Sequence, residues 1–362
     1  MQHWALGLVV LPLALTIFVG VADSGRLGEH LIWRDEFDQL DLKVWNHLVT
    51  AWRGGNKEFQ YYRNSRKNSY IRDGILYLRP TLTADEHGKD FLYTGNITES
   101  DCNYKPCSSV ANKDIVLPIQ SSRIRTINSF SFRYGRLEIR AQMPRGDWIW
   151  PAIWLKPKEN YYGSWPASGE IDLVETRGNR KIQNSKGESE GIDRMGSTLH
   201  VGYNSSYNIW RPTHWTKTLG KPKDFASDFH IYEMVWSKTC ILFKVDGEII
   251  GKQPAPEGGF YKLGGLDKVP GGQNIWKDGE PMAPFDREFF IILNVAVGGT
   301  FFSDGNRYLP YGKPWNWSSP HPMKDFWDAK DKWYPTWEGE SAAMKIDYVR
   351  VYSNAPGADK CN

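Results

Sequence analysis

The sequence has little net charge and lacks the common motifs of several enzyme classes. Its 45 basic and 42 acidic residues leave a net charge of +3 over 362 residues, which excludes a strong electrostatic footprint for nucleic acid or an anionic membrane. It also lacks an H-E-x-x-H motif, a G-x-S-x-G motif, a Walker A loop and a dinucleotide fingerprint. No linker, low-complexity block or internal repeat divides the chain, so its composition does not call for a second domain.

Tryptophan, in contrast, is abundant, with 17 residues in an aromatic share of 14%. A core does not need so many indoles, because each buried N–H requires a partner. The excess predicts flat, amphipathic binding surfaces. We expect Trp154, in an apolar run, to lie in the core and Trp165, in a Gly/Ser/Pro loop, to contact a ligand. A further group is interpreted as outer binding positions or plain packing: Trp315, Trp317, Trp327, Trp333 and Trp337.

Residues 1–22 have the pattern of a signal peptide. Residues 4–22 carry no charge and end in Gly20-Val21-Ala22, a small-x-small cleavage pattern. An uncleaved signal anchor is the alternative, because the apolar run is almost long enough to span a bilayer. No other segment is comparably apolar. We therefore expect residues 23–362 to form a single secreted, extracellular domain that is monomeric and has no membrane contact after cleavage.

Secretion makes the four cysteines candidates for disulfides. Cys102 and Cys107 lie in a polar loop, where they could close a small ring, and Cys240 could tie down the C-terminus through Cys361. The sequence alone allows three pairings. Neither spacing is typical of a zinc site. Three sequons are candidate glycosylation sites where exposed: Asn96, Asn204 and Asn316.

Strand patterns dominate the remainder of the chain. Apolar and polar residues alternate, or apolar residues run continuously, between turn signals in six segments: 74–79, 132–143, 229–236, 241–250, 289–297 and 345–352. Helical periodicity is almost absent, so the pattern predicts an all-β fold, an antiparallel β-sandwich. Residues 85–116 and 253–286 have the composition of long loops that decorate it.

The densest chemical signal is the stretch from Glu170 to Glu175, which reads E-I-D-L-V-E. Glu170 and Asp172 are two residues apart, so they share one face of a strand. Glu175 is five residues from Glu170, and a regular strand would turn it towards the core, where an unpaired charge is too costly. One extra residue, a β-bulge at Leu173 or Val174, restores the parity and places all three acids on one face.

Three neighbouring carboxylates raise the pKa of at least one of them. A pair of glutamates about 5–5.5 Å apart performs retaining glycoside hydrolysis. Glu170 would then be the nucleophile, Glu175 the acid/base, and Asp172 would orient the nucleophile. The alternatives are an acidic calcium site or a solvated strand face. Upstream tryptophans favour hydrolysis, because indole faces stack on the C–H faces of pyranose rings.

Residues 165–175, read together, resemble the signature of glycoside hydrolase family 16 in the E-x-D-x-x-E form of its laminarinase branch. Residues 282–299 are similar to animal laminarinases and β-1,3-glucan recognition proteins. Further similarity lies at 35–38, 56–62, 134–136, 150–154, 198–200 and 345–352. The resemblance implies a β-jelly-roll sandwich of two curved antiparallel sheets with a concave carbohydrate-binding cleft. It also implies endo-hydrolysis of β-1,3-glucan with retention of configuration, and no cofactor for catalysis.

The resemblance also implies roles for individual residues. It gives the same roles to Glu170, Asp172 and Glu175 as the strand argument does. Trp165 would stack on a sugar, and His200 would lie near the acid/base, although a structural strand histidine is an open alternative. Weaker candidates for sugar contacts are Asn56, Arg136 and Trp150, where an ordinary surface salt bridge is the alternative for Arg136. A structural calcium is implied near Glu36 and Asp347, and a simple tie between strands explains these two acids equally well.

Two other functions compete with hydrolysis. Animal glucan-recognition proteins resemble this chain but have lost catalytic glutamates, whereas Glu170 and Glu175 are both present here. Only about eight residues separate the expected cleavage site from Leu31, so we expect no extra glucan-binding module in the mature chain. A transglycosylase remains open, because it shares the covalent intermediate of a retaining hydrolase. In each case the expected partner is a β-1,3-glucan polysaccharide or oligosaccharide.

Overall fold

The computed structural model describes residues 28–220, 222–357 and 361. The expected signal peptide at 1–22 lies outside these residues, so the division of the chain at residue 22 stays a prediction. Within the described ranges, no helix combines the length and the apolar character needed to cross a bilayer.

Short and medium strands make up most of the regular structure. Numbered in chain order they are β1 Leu31–Asp35, β2 Asn46–His47, β3 Gln60–Tyr62, β4 Ser69–Arg72, β5 Ile75–Leu78, β6 Thr81–Leu82, β7 Asn96–Thr98, β8 Ser108–Val110, β9 Ile119–Ser121, β10 Arg123–Arg125, β11 Gly135–Gln142, β12 Ile149–Pro157, β13 Glu170–Thr176, β14 Ile182–Gln183, β15 Arg194–His200, β16 His214–Thr218, β17 His230–Trp236, β18 Cys240–Val245, β19 Glu248–Pro254, β20 Phe289–Val297, β21 Arg307–Tyr308 and β22 Met344–Tyr352.

The helices are short and lie in the connections between strands. They are α1 Ala84–His87, α2 Phe91–Thr94, α3 Gly259–Leu263, α4 Pro322–Asp328 and α5 Lys330–Trp333. Short 3-10 helices span Ser205–Tyr207, Arg211–Thr213, Leu266–Lys268, Tyr334–Thr336 and Gly339–Ala342. Helices α1, α2 and α3 fall inside or at the edge of the two long segments predicted to be loops.

Two antiparallel sheets form the body of the fold. The eight-stranded sheet has the order β19-β18-β17-β11-β22-β5-β4, with β1 paired to β22, and the seven-stranded sheet has the order β16-β15-β13-β12-β20-β10-β2. Non-sequential neighbours, such as β20 between β12 and β10, are typical of jelly-roll connections. The all-β jelly-roll prediction is therefore confirmed.

Aliphatic side chains from the facing sides of the two sheets fill the space between them. Ile139 on β11 faces this core, as do Ile153 on β12 and Leu293 on β20, and all three are fully buried. Strand β20 is buried along its whole length. This explains why its sequence is almost continuously apolar rather than alternating.

The second tryptophan group mainly serves packing. Trp315, Trp333 and Trp337 are buried and belong to the main hydrophobic core. The indole of Trp333 donates to the carbonyl of Phe326 (2.8 Å), and that of Trp337 donates to the carbonyl of Asp147 (2.9 Å). These bonds satisfy the N–H groups that burial would otherwise leave unpaired.

The disulfides select one of the three pairings that the sequence allows. Cys102 is bonded to Cys107 and Cys240 to Cys361, with Cα–Cα distances of 5.5 and 5.4 Å. The first bridge closes a small ring just before β8. The second ties the C-terminal end of the chain to the start of β18.

Candidate active site

Strand β13 contains the bulge that parity predicts. Across the pairing with β15, Asp172 faces Thr198 and Glu175 faces Gly196, so two residues of β13 lie opposite one residue of β15. The register against β12 shifts at the same place. The extra residue is stabilised locally, because the Ser197 hydroxyl donates to the Leu173 carbonyl at 2.6 Å.

The bulge separates the apolar and acidic side chains of β13 onto two faces. Leu173 and Val174 both enter the hydrophobic core. Glu170, Asp172 and Glu175 lie on the opposite side of the seven-stranded sheet, which we call the acid face. The prediction that the three acids share a face is confirmed by the register of β13.

The two glutamates of the acid face have raised pKa values. Burial is the main cause for both, and the negative charge of Asp172 adds to it, so the pKa of Glu170 rises to about 7 and that of Glu175 to about 8. The indole of Trp150 donates to Glu175 Oε1 at 3.0 Å. This bond and the nearby charge of His200 oppose the rise for Glu175.

His200 is the cation closest to Asp172. It directly faces Glu170 across the β13–β15 pairing, and its Nε2 lies 3.1 Å from Asp172 Oδ2. At this distance the charged imidazole and the carboxylate form an ion pair. Burial alone would lower the pKa of His200, but the contact with Asp172 and the charges of both glutamates raise it to about 9. The imidazole is therefore positively charged near neutral pH.

Two further side chains hold the ring of His200 in place. The side-chain amide of Asn208 lies 2.7 Å from Nδ1, and with the amide turned over its oxygen, which otherwise has no partner, accepts a hydrogen bond from the charged ring. The centroids of the His200 and Trp165 rings are 5.9 Å apart, and Trp165 is partly exposed. Sequence reasoning placed Trp165 and His200 near the acids, but it missed Asn208, because no motif links an asparagine eight residues later to the histidine.

Tryptophans of β12 cover the acid face beside β13. Trp154 pairs with Asp172 across the strands and is half-buried, so the expectation that it lies in the core is wrong. Its indole donates to Asn294 Oδ1 at 2.7 Å, and the guanidinium of Arg123 lies 4.4 Å from its ring centroid. The sequence around Trp154 reads P-A-I-W-L, with no alternating polar residues. It therefore does not indicate which face of the strand this side chain occupies.

Asn56 lies outside the immediate surroundings of the acids. It is exposed in the turn before β3, where its side chain accepts a hydrogen bond from Thr300 Oγ1 at 3.2 Å. The neighbouring Glu58 is buried, which raises its pKa to about 7 although Gln60 donates to it at 2.6 Å. The charge of Arg123 acts on both Glu58 and Glu170. Asn56 therefore belongs to the edge of the same electrostatic region.

Arg136 does not belong to the acid face. It lies on β11 of the eight-stranded sheet, and its side chain is only 2% exposed. Its guanidinium binds Glu29 at 2.7 Å, contacts Glu138 and lies 3.6 Å from Glu233. Arg136 is therefore neither a sugar contact nor an ordinary surface salt bridge, because its guanidinium is buried among three carboxylates.

The acids proposed for calcium are already engaged by arginines. Both oxygens of Glu36 accept hydrogen bonds from Arg350, at 2.9 and 2.8 Å. Asp347 accepts one from Arg140 at 2.5 Å. A calcium ion would have to displace these guanidinium groups, so the donor set does not fit a calcium site. The tie between strands is the interpretation that these contacts support.

One other group of side chains is close enough to share an ion. Among the described residues, ligand atoms of Glu170, Asp172 and His200 lie within 4.8 Å of one another. Burial disfavours the charged imidazole, but the contact with Asp172 outweighs it and raises the pKa of His200 to about 9, so a proton on this ring balances part of the negative charge of the group.

Comparison with known proteins gives this geometry a family context. Residues 89–259 match the model of the family described as glycosyl hydrolases family 16. The chain is 43% identical over 341 residues to a beta-1,3-glucan-binding protein of Penaeus monodon, covering 89% of this chain and 90% of that protein. It is 34% identical over 336 residues to Gram-negative bacteria-binding protein 1 of Drosophila melanogaster, covering 89% of this chain and only 64% of that protein.

Glucanases are also among the similar proteins. Glucan endo-1,3-beta-glucosidase A1 of Niallia circulans is 32% identical over 340 residues, which cover 91% of this chain and 39% of that protein. The laminarinase from Rhodothermus marinus has a similar structure, with a TM-score of 0.57 and 26% identity over 91% of this chain and 99% of that one. The length and identity of these matches show that the chain belongs to glycosyl hydrolase family 16.

Proposed function

We propose that this protein is a retaining endo-β-1,3-glucanase that hydrolyses laminarin-type glucans. One observation carries the proposal. The bulge in β13 brings Glu170, Asp172 and Glu175 to one face, and among the described residues no arginine or lysine forms an ion pair with any of them. Carboxyls that are buried without a permanent cation are suited to proton transfer rather than to structural pairing.

The reaction follows from the two raised pKa values. Glu175 holds its proton at neutral pH because burial raises its pKa, so it protonates the leaving oxygen while Glu170 attacks the anomeric carbon. Glu175 then takes a proton from water, which displaces Glu170 from the sugar. Asp172 orients the nucleophile. The charge of His200 lowers the pKa of Glu170 and so favours its nucleophilic, ionised form.

The sugar-binding role proposed for the aromatic residues rests on their positions. Trp165 lies partly exposed beside His200, and Trp154 lies half-buried beside Asp172. Both can present an indole face to a pyranose ring next to the acids. Trp150 is bonded to Glu175, so its main proposed role is to orient the acid/base.

Non-catalytic glucan recognition is the second candidate function. The observation that favours it is the 43% identity to a protein named for binding β-1,3-glucan. The two functions share the same polysaccharide partner and differ in whether the bond is cut. Transglycosylation differs from hydrolysis only in whether a sugar hydroxyl or water resolves the covalent intermediate.

The decisive experiment is incubation of the secreted protein with laminarin, lichenan, curdlan and agarose, followed by sizing of the products. We expect laminarin to be cut, and Glu170→Gln and Glu175→Gln each to reduce turnover by roughly 10²–10⁴-fold. Wild-type-like turnover in either variant would contradict the assigned roles. Binding of laminarin with no cleavage would establish recognition, and products longer than the substrate would establish transglycosylation.

The stereochemistry of the first product tests the mechanism separately. Proton NMR of a fresh digest should show the β-anomer before mutarotation, because two displacements restore the starting configuration. Early appearance of the α-anomer would exclude a retaining mechanism.

We also propose that the mature protein acts outside the cell as a monomer. The two disulfides support this location, because such bonds persist in oxidising compartments. The three sequon asparagines are exposed, as glycosylation of a secreted protein requires. Mass spectrometry of the secreted chain would show cleavage after Ala22 and any attached glycans.

A further inference from the structure

We propose that Trp52 and Tyr104 form an outer binding position for a glucan chain, at the far edge of the sheet that carries the acids. The inference rests on the proposed function for the identity of its ligand, a neutral chain of glucose units. It adds a binding position that only long chains reach.

Two aromatic rings at this edge are partly exposed to solvent. Trp52 is 37% exposed and Tyr104 is 48% exposed, and the centroids of their rings are 5.4 Å apart at an angle of 51°. The tryptophans of the 315–337 region, in contrast, are mostly buried. Two adjoining, partly exposed rings offer the flat apolar surface on which the C–H faces of a pyranose ring stack.

The backbone that carries the two rings is held in place by local bonds. Thr50 Oγ1 accepts from the Trp52 amide at 2.9 Å and donates to the Pro106 carbonyl at 3.2 Å. The Ala51 amide donates to the same carbonyl at 2.8 Å. The disulfide of Cys102 closes the loop that carries Tyr104. A preformed surface loses little conformational entropy when it binds a ligand.

The pair is continuous with the acid face. Residue Leu48, just after β2, donates its amide to the Arg123 carbonyl of β10 at 2.8 Å. The guanidinium of Arg123 lies against Trp154 and interacts electrostatically with both Glu170 and Tyr104. Arg123 thus connects the acids to the edge of the sheet where the two rings lie.

The distance across the sheet predicts dependence on chain length. Strand β2 is four strands from β13 in the order β13-β12-β20-β10-β2. At about 4.8 Å per strand, this edge lies roughly 19 Å from the acids. Trp52 and Tyr104 lie in loops beside this edge. We therefore expect a disaccharide bound at the acids not to reach the rings and a longer chain to reach them.

Affinity for oligosaccharides of increasing length tests the proposal. The full mature chain carrying Glu175→Gln, which prevents consumption of the ligand, is titrated with laminaribiose and with a long laminari-oligosaccharide in a calorimeter. Adding Trp52→Ala or Tyr104→Ala should weaken binding of the long ligand roughly three- to tenfold, the effect of losing one aromatic contact. Binding of the short ligand should not change.

Tyr93→Ala is the matched control. Tyr93 is 45% exposed, and its hydroxyl contacts Asp328 rather than the edge at Trp52. We expect this variant to bind both ligands normally. The conservative variant Trp52→Phe keeps a ring and should retain most of the affinity, which separates loss of stacking from misfolding.

Three outcomes would overturn the inference: equal weakening for short and long ligands, no weakening for either, or no binding of oligosaccharide at all. Failure of the wild-type chain to hydrolyse laminarin would overturn only the proposed enzymatic function. In that case, a loss of affinity restricted to long ligands would still support the outer position.

Discussion

Two groups of buried carboxylates occupy opposite sheets of this fold, and they differ in the cation beside them. Glu29, Glu138 and Glu233 surround Arg136 on the eight-stranded sheet. Within the part of the chain that the structure describes, the acids of β13 on the seven-stranded sheet have only the ionisable ring of His200 in ion-pair contact. Arg136 also stacks on Tyr352 at 4.1 Å, so its group is satisfied by charge and by packing.

The comparison shows how to separate structural acids from reactive ones. Arginine keeps its charge at every accessible pH. Burial lowers the pKa of Arg136, but the hydrogen bonds that it donates to Glu29 and Glu138 outweigh this effect and raise the pKa. Carboxylates beside it are paired with a permanent positive charge. Beside a histidine, the number of protons in the group changes with pH, and acids such as Glu170 and Glu175 can exchange protons with a substrate.

The largest expected effect comes from removing the permanent cation. Arg136→Met removes the guanidinium charge beside three buried or half-buried glutamates. We therefore expect the free energy of unfolding to fall by about 3–5 kcal/mol. Denaturant unfolding at neutral pH measures this change. Arg140→Met, on the same strand, is the control, because its side chain is 38% exposed in a pair with Asp347 and should cost less than about 1 kcal/mol.

Glu175→Gln, on the seven-stranded sheet, is the variant to compare with Arg136→Met on the eight-stranded sheet. It removes a carboxyl that burial disfavours in its charged form, so stability at neutral pH should not decrease. If Arg136→Met and Arg140→Met cost the same, or if Glu175→Gln is as destabilising as Arg136→Met, the distinction between the two groups fails.

A smaller effect is expected at Glu58, which is buried near Arg123 and forms no close ion pair with any residue in the described ranges. Its pKa is about 7 in the fold against 4.5 in the unfolded chain, so its contribution is most favourable below pH 4.5 and is lost as the pH rises through 7. Glu58→Gln should therefore raise the free energy of unfolding by roughly 2–3 kcal/mol at pH 8.

The same variant should differ little from the wild type at pH 5, where Glu58 is mostly protonated in the fold. Unfolding curves at the two pH values give the comparison directly. A variant that is less stable than the wild type at pH 8 would show that the charge of Arg123 stabilises Glu58 more than burial destabilises it.

The smallest expected effect is a change in the pH profile of hydrolysis when His200 is replaced. His200→Gln removes a positive charge that lowers the pKa of both Glu170 and Glu175. Both pKa values should rise, so the pH profile of laminarin hydrolysis should move upwards by about one unit. The profile of kcat/KM measures this shift.

His214→Gln provides the control for this shift. Burial lowers the pKa of His214, so its ring is uncharged at neutral pH, and its Nδ1 lies 2.9 Å from Thr198 Oγ1. Its removal should leave the profile in place. A downward shift in His200→Gln, or equal shifts in both variants, would contradict the proposed role of the His200 charge.

Local rules were sufficient to predict β13. Side chains alternate with a period of two, and a lone charge is expelled from a core, so the order of residues from Glu170 to Glu175 required a bulge. The register of the strand confirmed it. The β-sandwich agreed with the sequence for a related reason, because strand patterns are properties of short segments. The resemblance placed His200 near the acid/base, whereas the register sets it opposite Glu170 and in contact with Asp172.

The partners of the charged and aromatic side chains needed the tertiary structure. Arg136 resembled a ligand contact in the sequence, but the pairing of β11 with distant strands encloses it among glutamates. Trp154 resembled a core residue, but its register against Asp172 turns it to the acid face.

The sequence by itself thus determined which strand carries the acids and how that strand must bend, because alternation and the cost of burying charge act within a few residues. Only the tertiary structure decided which cation each acid meets, which tryptophans are covered, and that Trp52 and Tyr104 come together. These outcomes depend on the register between segments that are far apart in the chain, and no local pattern specifies that register.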